Sequence, residues 1–239
     1  MTVAFDAFST SGIVTGANST DAPLSVSHVP VSTPRGVKAY ITQSGTGGNS
    51  DDVTAVTYGG VAMARVATAA DVLGEAMRTY AYFLGASIPT GTQSCAVTYS
   101  GGTLARILYV LTATAAADTE VEASGIAEAD QADPTIALST GAGVNCFVSG
   151  ALSSGLTTHT NLLPGTGYTQ LDLTDVVSRA SQCERRTSNS TGGTVNVLWD
   201  TGAVSDDTAG IGVAIKESAA AGLSIPVAMG QYRRLRAQA

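Results

Sequence analysis

Short runs in which apolar and polar residues alternate fill this sequence, and they constrain the fold more than any other feature. In residues 24–31 (LSVSHVPV), Leu24, Val26 and His28 fall on one face. A period of two is typical of strands with one buried face, because successive side chains of a strand point to opposite sides of its sheet. Residues 104–113 (LARILYVLTA) are continuously apolar. Their β-branched and aromatic content favours a strand buried on both faces over a helix.

Turn residues separate these runs. The strongest hairpin signal is the pair Gly59 and Gly60, because adjacent glycines favour positive φ. Roughly a dozen short strands with frequent turns are typical of an all-β sandwich or barrel. We expect a single jelly-roll-like antiparallel β-sandwich.

Few segments favour another structure. Residues 67–77 (ATAADVLGEAM) and residues 171–177 (LDLTDVV) are the candidates for a helical turn or two, the second capped by Asp172 or Thr174. Residues 178–187 alternate small and polar side chains and predict an edge strand.

Composition fits one domain within an assembly. The chain has 239 residues and neither a clear linker nor an internal repeat, so we expect one sandwich over residues 1–222 and a tail over residues 223–239. Hydrophobic residues (44%) suffice for a core, whereas charged residues (13%) are scarce. The surface must therefore consist largely of Ser, Thr, Ala, Asn and Gly, which suits proteins of assemblies or of the extracellular space.

The distribution of charge argues against some partners. The three tail arginines contribute +3 to the net charge of −7, so the rest of the chain carries −10. An acidic body does not suit the neutralisation of phosphates in nucleic acid or the binding of an anionic membrane. Residues 107–117 are too short and too polar to span a membrane.

Cysteines and the N-terminus bear on where the protein works. Cys95, Cys146 and Cys183 are an odd number without zinc-site spacing, which favours buried free thiols; one disulfide with one thiol left over stays open. Residues 1–10 (MTVAFDAFST) lack the pattern of a signal peptide, so we expect synthesis in the cytoplasm.

Four segments carry a family resemblance: FDAFSTSG (residues 5–12), VTYGGVAMARVA (56–67), TYAYFLGASIPTGTQSCAVTYSG (79–101) and AGIGVAIKE (209–217). Their order resembles a jelly-roll-like β-sandwich domain of phage virion proteins and of some bacterial surface proteins. The resemblance spans most of residues 5–217, although residues 120–186 match little.

The resemblance implies a virion structural protein: a capsid decoration or cement protein, the base of a head fibre, or a tail component. It implies location in the virion, contacts with other capsid or tail proteins, and a homo-oligomer such as a trimer. The motifs specify hairpins and core strands, so the resemblance implies no catalytic activity.

Signals of catalysis are weak. Of the two histidines, His28 falls in an alternating strand and His159 in a polar run. No G-x-S-x-G elbow, Walker loop or dinucleotide fingerprint occurs in the sequence. Carboxylates such as those of Glu120 and Asp133 are more typical of solvated surface residues than of the catalytic pair of a glycosidase. We therefore predict a non-enzymatic protein without a cofactor.

Two kinds of loop site stay open. Residues 128–133 (EADQAD) and 199–207 (WDTGAVSDD) offer oxygen ligands for calcium but follow no EF-hand pattern. A carbohydrate-binding, receptor-recognition module is the alternative function, with residues 44–52 or 155–167 as binding loops. Tyr40 and Tyr168 are the expected exposed aromatics, whereas Tyr58, Tyr80, Tyr82, Tyr99, Tyr109 and Trp199 are expected in the core.

The basic tail is the candidate partner-binding segment. Pro226 disfavours helix at the residue before it, so an extended segment is expected to lie along a neighbouring protein, with a tyrosine and arginines anchored on acidic surface. A disordered chain end is the alternative. The candidate residues are Ile225, Pro226, Tyr232, Arg233, Arg234 and Arg236.

Overall fold

The computed structural model describes residues 3–14, 24–45, 51–70, 76–100, 105–128, 132–155, 162–175, 180–202 and 207–218. Within these ranges the chain forms seventeen strands and no helix. The strands are β1 (Ala4–Thr10), β2 (Leu24–His28), β3 (Gly36–Gly45), β4 (Val53–Tyr58), β5 (Val61–Ala62), β6 (Ala64–Ala70), β7 (Ala76–Leu84), β8 (Gln93–Tyr99), β9 (Ala105–Thr114), β10 (Thr119–Ala127), β11 (Thr135–Thr140), β12 (Cys146–Ser154), β13 (Leu163–Pro164), β14 (Tyr168–Asp175), β15 (Ala180–Arg186), β16 (Gly193–Asp200) and β17 (Thr208–Glu217).

The strands pair antiparallel and form four sheets. The N-terminal half of the chain, β1 to β9, forms an outer sheet in the order β2-β8-β4-β5 and an inner sheet in the order β1-β9-β3-β7-β6. The C-terminal half, β10 to β17, forms an inner sheet in the order β10-β17-β12-β15-β14 and an outer sheet in the order β11-β16-β13. The predicted all-β antiparallel sandwich is confirmed.

Three apolar cores lie between successive sheets. The first, between the two sheets of the N-terminal half, includes Tyr58 and Val97. The middle core joins the two inner sheets and takes residues from both halves, among them Tyr109 and Ile211. The third core, in the C-terminal half, includes Trp199, which is fully buried. The four sheets are therefore successive layers of one packed body.

The strands β9 and β17 lie inside the two inner sheets and have a core on each face. Nine of the ten residues of β9 and eight of the ten residues of β17 are buried. A strand covered on both sides needs apolar residues at odd and even positions alike. The prediction of a strand in residues 104–113 is thus confirmed over the part that the structure describes.

The hairpin predicted at Gly59 and Gly60 is confirmed. These glycines have φ of 55° and 81°, and the flanking residues Thr57 and Ala62 pair in the ladder. Side chains with a Cβ rarely adopt positive φ at two successive positions, which is why this turn uses two glycines.

The predicted helices are wrong. Residues 67–70 belong to β6 and residues 171–175 to β14, whereas residues 71–75 and 176–177 lie outside the described part of the chain. Both strands are edge strands with a β-bulge, at Arg65/Ala67 and at Gln170/Asp172. A bulge adds one residue to the strand and shifts its alternation, so the period of two is lost from the sequence.

The edge position predicted for residues 178–187 is also wrong, because β15 lies between β12 and β14. Its polar residues suggested an exposed face, but Gln182 and Glu184 are both fully buried. They alternate with Cys183, which packs in the middle core. The strand therefore has protein on both faces.

The third core makes room for a large indole by placing glycines opposite it. A Cβ on Gly150 would lie 2.9 Å from Cζ2 of Trp199 and 2.7 Å from Cγ1 of Val197. A Cβ on Gly210 would lie 3.4 Å from Cζ3 of the same tryptophan. Gly150 of β12 and Gly210 of β17 thus leave room for the side chains of β16 that lie opposite them.

Candidate interaction surface

The most exposed large apolar side chains of the described residues lie in the loop between β2 and β3. Val29 is 60% exposed and Val31 is 81% exposed. Pro30 and Pro34 fix φ at two positions of this loop, which lowers the entropy it would lose on binding a partner. We call residues 29–34 the valine loop.

A carboxylate of the neighbouring edge strand holds the valine loop. Asp6, the extra residue of a bulge in β1, accepts a hydrogen bond from the backbone N–H of Val31 at 3.2 Å and another from that of Ser32 at 2.9 Å. Two amides bound to one carboxylate fix the backbone at Val31 and at the residue that follows it. The loop is therefore presented in a defined conformation.

Beneath the loop, a buried histidine connects the outer sheet to the inner sheet. The Thr112 hydroxyl donates to Asp6 at 3.0 Å, so it accepts from the Nε2–H of His28 at 3.1 Å. The neutral ring then accepts at Nδ1 from the Ser9 hydroxyl at 2.9 Å. Burial lowers the pKa of His28 to about 4, against an opposing effect of the Asp6 charge, so the ring is neutral at pH 7.

This chain of donors has the same direction as that of a serine-hydrolase triad, with Thr112 between the histidine and the carboxylate. Its chemistry differs, because an imidazole with a pKa of about 4 is a weak base at neutral pH. The ring is also fully buried. The network fixes β1, β2 and β9 relative to one another and supports the loop above.

A polar pocket of about 280 Å³ lies at β13 and β16 of the C-terminal half. Its lining consists of Asp133, Pro164, Gly165, Thr166, Leu198, Trp199 and Asp200. The two segments predicted to offer calcium ligands meet here: Asp133 Oδ1 accepts from the backbone N–H of Thr201 at 2.8 Å. Part of the second predicted glycan loop, residues 164–166, lines the same pocket.

The described part of the pocket falls short of a calcium site. It offers two carboxylates, those of Asp133 and Asp200, whereas calcium takes six to eight oxygens. One oxygen of Asp133 already binds the Thr201 amide, and one of Asp200 binds the Gly202 amide at 2.8 Å. Among the described residues, no group of three acidic, histidine or cysteine side chains could hold a metal ion.

Both aromatic side chains predicted to be exposed are buried. Tyr40 is 0% exposed, and its hydroxyl donates to the backbone oxygen of Ser149 at 3.0 Å in the middle of the molecule. Tyr168 is 8% exposed and donates to the backbone oxygen of Asn196 at 2.9 Å. Their hydroxyl groups have partners inside the protein, so burial costs them little. The prediction of exposure is wrong for both.

Other sequence predictions have mixed outcomes. Cys95, Cys146 and Cys183 are buried free thiols, as predicted. His159 and the six candidate residues of the tail lie outside the described residues. Asp6 and the valine loop are not predicted from the sequence, because the alternation of residues 24–31 predicts a strand that includes Val29 and Val31. The available signal was the pair of prolines, since proline rarely sits inside a strand.

Comparison with protein-family models, curated proteins and solved structures finds no match. In the described ranges, no helix is long and apolar enough to cross a membrane.

Proposed function

We propose that this chain is a non-enzymatic structural protein of a phage or phage-like particle, most specifically a capsid decoration or cement protein or the base of a head fibre. It acts by self-association and by contacts with neighbouring virion proteins. The observation that carries the proposal is the valine loop, where two exposed valines are held by Asp6. A pre-ordered apolar loop on a body with few charges suits a permanent protein contact.

Two further features support this assignment. Four layers with three cores form a stiff body, which suits a protein that is cemented into a particle. The sequence segments described above resemble virion sandwich domains, and in the structure they form β1, the β4–β5 hairpin with the start of β6, β7, β8 and β17. These strands contribute residues to the three cores, so the resemblance supports a shared architecture and a shared role in assembly.

The test is incorporation into particles. In particles assembled with Val31→Asp, the amount of this protein per particle should fall about tenfold or more, because a buried charge at an apolar contact is costly. Leu163→Asp is the matched control, since Leu163 is 50% exposed in the C-terminal half. Both purified variants should unfold at the wild-type temperature. Normal incorporation of Val31→Asp, or absence of the wild-type protein from purified particles, would contradict the proposal.

A tail component or a carbohydrate-binding module for receptor recognition is the second candidate, and the polar pocket favours the carbohydrate module. The carboxylates of Asp133 and Asp200 could accept hydrogen bonds from sugar hydroxyls, and backbone carbonyls of residues 164–166 beside them could accept further ones. Glycan-array binding that is lost in Asp200→Ala, with Asp118→Ala as an exposed control, would support it. An array without signal would count against it.

A further inference from the structure

The order of strands is the same in the two halves of the chain. The inner sheets read β1-β9-β3-β7-β6 and β10-β17-β12-β15-β14, and the outer sheets read β2-β8-β4 and β11-β16-β13, with β5 added in the first half. Each strand of the second half thus has a counterpart at the same place in the first. In both halves the first strand pairs with the last, the second with the last but one, and the third with the strand before that. This nested order is that of a long hairpin rolled into two sheets, as in a jelly roll.

Irregularities of the ladders fall at matching places. The first strand of each half has a bulge against the last strand, at Phe5/Ala7 in β1 and at Val121/Ala123 in β10. The strand at the other edge of each inner sheet also has one, and the extra residues there, Val66 and Leu171, both pack on the middle core. Bulges are specific features of a fold, so two coincidences of position point to a common origin.

The extra residue of the first bulge has the same task in both halves. Asp6 binds amides of the loop between β2 and β3. Glu122 accepts at 2.7 Å from the amide of Gly141, in the loop between β11 and β12, which are the counterparts of β2 and β3. A carboxylate at an equivalent position thus holds an equivalent loop in each half.

The cores of the two halves also match. β8 presents Val97 and then Tyr99 to its core, and its counterpart β16 presents Val197 and then Trp199. All four side chains are less than 10% exposed. The spacing and the order of aliphatic and aromatic residues are therefore shared.

We infer that the chain consists of two copies of one jelly-roll unit, and that the face of each inner sheet is an interaction surface whose partner is the inner sheet of another such unit. The contacts are reciprocal, as in a two-fold dimer. β6 packs against β10, and their counterparts β14 and β1 meet where Thr10 contacts Asp172. β7 packs against β17, and their counterparts β15 and β9 meet where Tyr109 contacts Ser181 at 2.8 Å.

The chemistry of the inner faces is that of a recognition surface. Besides apolar side chains, the middle layer contains hydrogen bonds between halves: Tyr40 to Ser149, Thr42 to Ser181 at 2.7 Å, and Thr79 to the backbone oxygen of Ala209 at 2.6 Å. Such bonds are satisfied when the two sheets face each other in register. They therefore select the partner and the orientation of an otherwise apolar contact.

Lys38 lies in the same layer and strengthens this view. It is 1% exposed, and its Nζ atom lies 3.3 Å from the backbone oxygen of Val213 and 3.9 Å from the ring centroid of Phe147. Its side chain comes from one half, and the groups that it contacts belong to the other. The inner face of the first unit is thus completed by the second.

The test uses the whole chain with a protease site inserted between Ala116 and Ala117, in the connection between the halves. After folding and cleavage, the two pieces should elute as one 1:1 complex in size-exclusion chromatography at micromolar concentration. Thr42→Arg places a charge in the middle layer and should raise the apparent Kd of the cut pieces about tenfold or more. Thr98→Arg, on the exposed face of an outer sheet, is the control and should leave the Kd unchanged.

The separated pieces decide whether each half is a complete unit. Each should keep slow amide exchange at its own outer core, for example at Val97 in one and Val197 in the other. If Thr42→Arg prevents folding of the uncut chain, Tyr40→Phe replaces it and should raise the Kd a few-fold through lost hydrogen bonds, roughly as one such bond implies. The inference would be overturned if the two pieces of the cut wild-type chain separated in chromatography. It would also be overturned if a separated piece lost slow amide exchange at its outer core.

Discussion

At the scale of single residues, Asp6 is the side chain on which the valine loop depends. Asp6→Ala leaves the amides of Val31 and Ser32 without their acceptor and should cost about 1–3 kcal/mol of the free energy of unfolding. Hydrogen exchange at these two amides should become much faster, and urea denaturation would give the stability change. Asp118→Ala is the control, because that carboxylate is 52% exposed in a surface ion pair. Unchanged exchange at the loop in Asp6→Ala would contradict the role given to Asp6.

Glu184 sets an expected dependence of stability on pH. Burial raises its pKa to about 9, from an ordinary value of 4.5. The folded chain therefore holds this proton more tightly than the unfolded chain does. The free energy of unfolding falls as the pH rises from about 4.5 to about 9, by at most about 1.4 kcal/mol per pH unit. Below the ordinary pKa the two states bind the proton alike and this slope disappears.

Glu184→Gln, which keeps the shape but cannot ionise, should flatten the pH dependence and stabilise the protein at pH 8.5. Urea denaturation at pH 6 and at pH 8.5 measures the effect. Glu120→Gln is the control, since the Glu120 side chain is 49% exposed. A wild-type protein that is as stable at pH 8.5 as at pH 6 would refute the expectation.

At the scale of the strand, Gly150 tests how the third core is fitted to its tryptophan. The Cβ of Gly150→Ala would lie 2.9 Å from the Trp199 ring and 3.0 Å from the backbone oxygen of Ile211. Crowding of this kind typically costs about 1–3 kcal/mol, measurable by thermal or urea unfolding. In a protein that also carries Trp199→Phe, the further loss caused by Gly150→Ala should be smaller, because the smaller ring frees space. If Gly150→Ala costs the same in both backgrounds, the ring is not the obstacle.

Strands could be predicted from the sequence where alternation is undisturbed. β2 and β8 have one buried face over their full length, and the pattern is visible in their residues. The sequence predicts helical turns in parts of β6 and β14, because a bulge shifts the phase of the alternation and an edge strand needs fewer apolar residues. The bulge itself has no clear sequence signal, so the hydrogen bonds from the valine loop to Asp6 cannot be predicted from the sequence either.

At the scale of the whole molecule, sequence patterns leave the stacking of layers undetermined. The apolar residues on both faces of β9 and β17 predict that both faces are covered, but they do not say by which sheet. Lys38, Tyr40 and Thr42 are polar residues at alternate positions of β3, and the sequence predicts that Tyr40 is exposed. In the folded chain they lie between the two inner sheets, where partners from the other half satisfy them.

The basic tail gives the last prediction. Deleting residues 223–239 should leave the thermal unfolding midpoint unchanged, since the described residues that form the three cores all precede residue 219. Incorporation into particles and self-association should fall, because the tail carries +3 and the rest of the chain −10, so opposite charges attract it to neighbouring copies. Replacing Arg233, Arg234 and Arg236 by Gln separates charge from length and should reproduce most of the effect at low salt. A truncated chain that assembles fully would show that the tail is dispensable and that the valine loop and other surfaces of the sandwich suffice.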